Sequence, residues 1–325
     1  VTAERPDRDA LLDVDALPDF DDLPEIPGLG LRHAWDVFGR DDVLGSIGLL
    51  TPQRVARGAA EVRLGELIPL DLPLDEPNPP LFGRRPYERH VRAINRNEMD
   101  DHLDAFHPQA STQWDALSHV RCREHGYWGG RTDDPTAERN DLGIEHWARH
   151  GIAGRGLLID VAAHLAATGG DDDPLRSRAV TAEEVAATLA AQGVIPEPGD
   201  IWCVRTGWTA AYRRLDAAAR IAYAPAPTSV GLRADEAMAR LIWNAHPAAL
   251  CCDNPAVEPL PGDPAVGSLH RRLLPLLGTA LGEMFDFERL AERCAADRRW
   301  TFFFVAAPLH VPGAIGSPGN AVAIR

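Results

Sequence analysis

Leu157-Leu-Ile-Asp-Val161, followed downstream by Thr181-Ala-Glu-Glu184 and then by Ile201-Trp-Cys-Val-Arg205, sets the fold class. The first segment is a short apolar run of the kind a strand buried on both faces requires. The second is a capping box: Thr and Glu, three apart, each satisfy a backbone N–H that the start of a helix leaves orphaned. The helix it opens should end near Gly193, and the third segment returns to strand. The alternation continues with a helix over 234–245, a strand over 248–252, helices near 269–277 and 287–296, and a strand over 302–306. Strands interleaved with helices predict an α/β domain around a largely buried mixed sheet.

Upstream, Thr51-Pro52 pairs an N-cap with Pro at the first helical position, which predicts a helix through Ala60. Residues 61–74 alternate as a strand region should. The proline-rich stretch 77–86 then forms a long loop, a type of segment that is often functional in compact domains. The stretch to Asp22 is rich in Asp and Pro with little apolar periodicity, and reads as an extended arm or a segment packed on a partner subunit. The expected division is an arm over 1–30 and one domain over 31–325.

Composition excludes several classes. With 325 residues, 45% of them hydrophobic, the chain can bury a substantial core. A formal charge of -15 argues against binding a phosphate backbone, so nucleic acid is not an expected partner. The chain has no lysine, which removes Schiff-base and Walker-type lysine chemistry. Cys122, Cys203, Cys251, Cys252 and Cys294 are odd in number and form no C-x-x-C pair, so reduced thiols are expected. No apolar stretch approaches a membrane span and the start lacks the order of a secretory signal, so no membrane partner is expected and cytoplasmic placement is the expectation.

The chemistry concentrates in Gln109-Ala-Ser-Thr-Gln-Trp-Asp-Ala-Leu-Ser-His119. Gln113, Asp115 and His119 stand at i, i+2 and i+6, so on an extended segment all three project to one face, where one ion could meet several of them. Gln113 is the weak member, because a neutral amide oxygen competes poorly with water for a cation. Trp114, with candidate ligands on both sides, is a candidate substrate contact. His146 and His150 lie four apart, a spacing that would chelate zinc on a helix, but no third ligand accompanies them and a solvated helix face is the better reading. Vicinal Cys251-Cys252 reads as a buried strand end.

The same segment resembles the signature of the cyclase-type metal-dependent hydrolases, a family that includes bacterial kynurenine formamidases, isatin hydrolases and trans-dienelactone hydrolases. Their motif reads H-x-G-T-H-x-D-x-P-x-H. Thr112, Asp115 and His119 keep its Thr, Asp and last His, whereas Gln109 and Gln113 stand at its first two His positions, Ser111 at its Gly and Leu117 at its Pro. Further landmarks of the longer members are Gly39-Arg-Asp-Asp-Val-Leu-Gly-Ser-Ile-Gly-Leu-Leu-Thr-Pro52, Gly154-Arg-Gly-Leu-Leu-Ile-Asp-Val161, Asp253-Asn-Pro-Ala-Val-Glu258 and Pro308-Leu-His-Val-Pro-Gly-Ala-Ile-Gly-Ser-Pro318.

The resemblance implies a swivelling β/β/α fold and a divalent ion, Mn²⁺ or Zn²⁺. It implies that a His and a downstream Glu complete the ion site, which points to His270 and Glu283 at a spacing one residue longer than usual. Asp115, His270, Glu283 and the oxygen of Gln113 are then the expected ligands. Glu258 is the competing carboxylate, either beside a ligand or on the substrate, and Gln109 is a candidate substrate contact. His119 is the expected proton shuttle, with His270 as the second acid/base candidate. The ion would polarise an amide or ester carbonyl of a small molecule and acidify its water. Two other classes remain open: a cyclase or dehydratase using the same residues, and a binding protein whose ion site has decayed. Assembly as a homodimer or homotetramer is expected.

Overall fold

The computed structural model describes residues 17–170 and 173–325, so the first part of the expected arm lies outside the described residues. Nine strands form one mixed sheet in the order Gly316–Pro318, Gln113–Asp115, Ala280–Glu283, Ala249–Cys252, Ile201–Arg205, Ile152–Asp160, Thr301–Ala306, Ala321–Ile324 and Leu67–Pro69. The central four, from Ile152–Asp160 to Ala280–Glu283, run parallel, and every other pairing is antiparallel. These parallel strands are almost wholly buried, which is why they read as continuous apolar runs rather than alternating ones.

Local sequence explains the helices that cross between them. In helix Ala182–Gln192 the Thr181 hydroxyl accepts from Glu184 N while the Glu184 carboxylate accepts from Thr181 N, the complete capping box. Asp235 caps helix Glu236–Ala245, Asp160 caps Val161–Thr168, and Thr51 caps Pro52–Ala59. Phe20, Leu23 and Ile26 are buried in the main core, and Trp243 donates to the Pro18 carbonyl, so residues 18–26 pack against the chain's own helix Glu236–Ala245.

Two expectations are corrected, and one element has no counterpart among them. The strand region over 61–74 shrinks to Leu67–Pro69 at the sheet edge, because Pro69 and Pro73 cannot donate to a ladder. The helix expected over 269–277 is α only at Leu269–Arg272 and continues as a π-helix at Leu273–Leu277. An antiparallel hairpin, Glu88–Asn95 with Glu98–Asp104, stands outside the main sheet with every residue exposed. Its sequence gave no signal, since both of its faces carry charge.

Candidate metal centre and active site

The Gln113–Asp115 strand lies between Gly316–Pro318 and Ala280–Glu283, and its register sets Glu283 directly opposite Gln113. Period-2 geometry places Gln113, Asp115 and Glu283 on one face and Trp114 on the other. Trp114 is therefore no substrate contact: it is fully buried, edge-on to Trp147, Phe285 and Phe304, and its indole N–H donates to the Gly319 carbonyl. The strand stops at Asp115. His119 returns to the site through a turn closed by its N–H on the Ala116 carbonyl, not through strand periodicity, and its Nε2 lies 3.9 Å from Asp115 Oδ1.

His270 enters from the segment before Glu283. Ser268 caps its short helix, and the π-helix that follows takes up one residue more than α turns would before Gly278 leads into the Glu283 strand. His270 Nε2 is 2.9 Å from Glu283 Oε1 and 3.7 Å from Asp115 Oδ2. Its other nitrogen, Nδ1, is 3.0 Å from Glu258 Oε2, and Glu258 also accepts from His270 N and from Ser268 Oγ. Glu258 thus orients the imidazole, and its carboxylate is occupied by these three contacts.

The two glutamines behave differently from the expectation. Gln113 Nε2 donates to Glu283 Oε2 at 2.7 Å and to Asp115 Oδ1 at 3.3 Å, and Gln109 Nε2 donates to Asp115 Oδ1 and approaches His119 Nδ1 at 3.2 Å. Gln113 therefore turns its NH₂, not its oxygen, toward the carboxylates, because unpaired carboxylate oxygens attract the amide's only donors. Its Oε1 and Asp115 Oδ2 are buried with no hydrogen-bond partner.

Those orphaned oxygens, together with an excess of negative charge, fit a cation. Asp115, His270 and Glu283 each offer a ligand atom within 4.8 Å of the others. A carboxylate behind the far nitrogen of a ligating imidazole is the usual support of such a site. Burial opposes the charge on Asp115, but His119 and His270 outweigh it and hold its pKa below the ordinary value. Burial and the neighbouring Asp115 charge push Glu283 up to about 7. His270 is buried too, yet Asp115, Glu258 and Glu283 raise it well above its ordinary value.

Arg84 has no counterpart in the sequence reading. Burial lowers the pKa of Arg84 while the charges of Glu283 and Asp115 resist the fall, its Nη1 is buried without a partner, and its guanidinium sits 5.3 Å over Phe82. The only signal for it was its place in the proline-rich loop. That loop and residues 106–111 enclose a cavity of about 260 Å³, whose wall includes Pro80, Tyr87, Phe106, His107 and Ser111. The discarded pair stays apart: His146 faces Glu145, and His150 Nδ1 contacts the Gly151 carbonyl. All five cysteines are free and buried, and among the described residues no helix is long and apolar enough to cross a membrane.

The Cyclase family model matches residues 68–259, a span that holds the Gln109–His119 segment and Glu258. The crystal structure of a novel cyclase is 30% identical with a TM-score of 0.78, covering 90% of this chain and 99% of that one. Isatin hydrolase A from Labrenzia aggregata, bound to benzyl benzoate, is 18% identical with a TM-score of 0.56, over 83% of this chain and 97% of its own. Isatin hydrolase A from Ralstonia solanacearum is 16% identical with the same TM-score, over 84% and 97%. At those identities the likeness is one of fold. No curated protein matches the chain. The family match over more than half of the sequence, joined to the 30% identical structure over nine-tenths of it, makes this chain a member of the Cyclase family.

Proposed function

We propose that this protein is a metal-dependent hydrolase that opens an amide or ester bond of a small molecule, of the lactone, cyclic amide or N-formyl arylamine type. The observation that carries the reading is the convergence of Asp115, His270 and Glu283, with Glu258 holding the far nitrogen of His270. A bound divalent ion, Mn²⁺ or Zn²⁺, would supply Lewis acidity toward a carbonyl and acidify water. Two carboxylates with a single imidazole make Mn²⁺ as suitable as Zn²⁺.

The chain's own residues do the rest. Gln109 Nε2 lies 3.2 Å from His119 Nδ1 and holds the ring in place. With about 29% of its side chain exposed, His119 stands at the rim of the site, placed to take a proton from the attacking water and return it to a leaving nitrogen or oxygen. Arg84 has an unspent buried donor for the negative charge that develops on the carbonyl oxygen.

A second reading, a binding protein without an ion, is favoured by one observation: the amides of Gln109 and Gln113 already occupy Asp115 Oδ1. The test is turnover of formanilide, an aryl lactone and a cyclic arylamide in ¹⁸O-water by the Mn²⁺- or Zn²⁺-loaded protein. A hydrolase incorporates one solvent oxygen per turnover. Turnover without incorporation would establish a cyclase or dehydratase, and absence of both turnover and ion binding a binding protein.

A further inference from the structure

The exposed hairpin Glu88–Asn95/Glu98–Asp104 carries a second cluster of side chains of the metal-ligating types, sharing no residue with the Asp115 cluster. His90 and His102 are register partners across the two strands, and their rings stack at 4.9 Å with 20° between planes. Asp104 Oδ2 lies 3.3 Å from His90 Nε2, and Glu88, the register partner of Asp104, brings Oε2 to 3.9 Å of the same nitrogen. Period-2 geometry puts all four on one face of the hairpin. Both arginines within its strands are engaged elsewhere, and Arg96 lies in the turn at the far end: Arg92 holds Asp100 at 3.0 Å toward the tip, and Arg89 pairs with Asp101 at 3.5 Å on the opposite face. Arg85, just before the hairpin, reaches only the other oxygen of Glu88, at 4.0 Å. Two imidazoles and a carboxylate therefore converge with no cation among them, their ligand atoms within 4.8 Å of one another.

We propose that His90, His102 and Asp104, with Glu88 in reach, bind one Zn²⁺ ion that clamps the base of the hairpin. Imidazole nitrogens at about 2.0–2.1 Å in tetrahedral geometry lie roughly 3.3 Å apart, and exposed side chains reach that separation by rotation alone. The ligand set of two imidazoles and one carboxylate suits a borderline ion rather than Ca²⁺ or Mg²⁺. The clamp has a consequence for the cavity. One strand continues directly from Pro86 and Tyr87, the other leads through Ala105 into Phe106 and His107, and these four residues line the cavity wall. A two-stranded hairpin with no face covered is marginal on its own, so an ion that ties its strands together restrains both sides of that wall.

The experiment is a zinc titration of chelator-stripped, full-length protein against a competing dye, for wild type and for His102→Ala and His90→Ala, with limited trypsinolysis alongside. Wild type is expected to bind one equivalent more than either variant, or to bind that equivalent at least ~10-fold more tightly. Zinc should slow cleavage after Arg92 and Arg96 several-fold in wild type and leave it unchanged in the variants. Asp115→Asn should keep the hairpin equivalent and its protection, which separates this site from the one in the sheet. Equal zinc stoichiometry and affinity in wild type and both histidine variants, or cleavage indifferent to zinc, would overturn the proposal.

Discussion

At position 113 an amide N–H points where an ion would want a lone pair, and that single group should govern how tightly the site holds zinc. Gln113→His replaces the donor by a ligand nitrogen and is expected to tighten zinc binding by roughly tenfold or more, at ~1.4 kcal/mol per decade. A competitive zinc titration at fixed pH measures it, and equal affinities would show that this side chain does not meet the ion. His119→Gln should lower kcat by about a hundredfold with a smaller change in KM, as removal of a positioned acid does; near-normal turnover would pass the role to another group. The neighbouring charges add a pH effect. Glu283 rises from 4.5 to about 7 on folding, so between those values the folded, ion-free protein holds a proton that the unfolded chain has released. Stability at this carboxyl is thus present at low pH and lost as pH rises from about 4.5 through about 7. The raised His270 acts in the same direction. An arriving ion must displace these protons, so metal affinity should climb with pH, and calorimetry at pH 6.5 in buffers of different ionisation enthalpy should show net proton release. Binding without proton release would contradict the assignment of Glu283 and His270 as ligands.

Between residue and fold, the decisive element is the π-helix Leu273–Leu277 with Gly278 behind it. Gly278 has φ +66°, and a Cβ there would stand 2.7 Å from the Trp128 indole, so Gly278→Ala faces both a left-handed backbone and a clash with a buried ring. A cost of about 1–3 kcal/mol in urea unfolding is expected, with weakened metal binding, because the strand that follows carries Glu283. An unchanged midpoint with unchanged metal affinity would show that this turn does not position the site. Elements of this kind mark the boundary of what sequence discloses. Capped helices such as Ala182–Gln192 and buried parallel strands such as Ile201–Arg205 were legible, since caps and apolar runs are local signals. The switch from α to π was not, because the apolar run Leu273–Leu277 carries no local signal that separates a π turn from an α turn. The hairpin was equally silent: neither strand buries a face, and its Arg96-Asn97 turn lacks glycine.

Across the whole molecule, the candidate site is assembled from the Gln109–His119 segment, Glu258, His270 and Glu283. Asp115 could be read from its own neighbourhood, and His270 and Glu283 only through family resemblance. The pairing that sets Glu283 opposite Gln113, and the direction in which each glutamine amide points, depend on contacts between distant strands that no local pattern encodes. The same sheet explains why Asp115 is central: it is fully buried, it faces both His119 and His270, and its Oδ2 lacks a hydrogen-bond partner. Asp115→Asn removes that charge with little change of shape, so the fold should survive while the ion is lost. The direct measurement is metal content by mass spectrometry of wild type and Asp115→Asn, both loaded with Mn²⁺ or Zn²⁺ and desalted, with circular dichroism confirming that each is folded. The account predicts that the variant loses the ion held in the sheet while keeping the wild-type spectrum; a folded variant with undiminished metal content would contradict it.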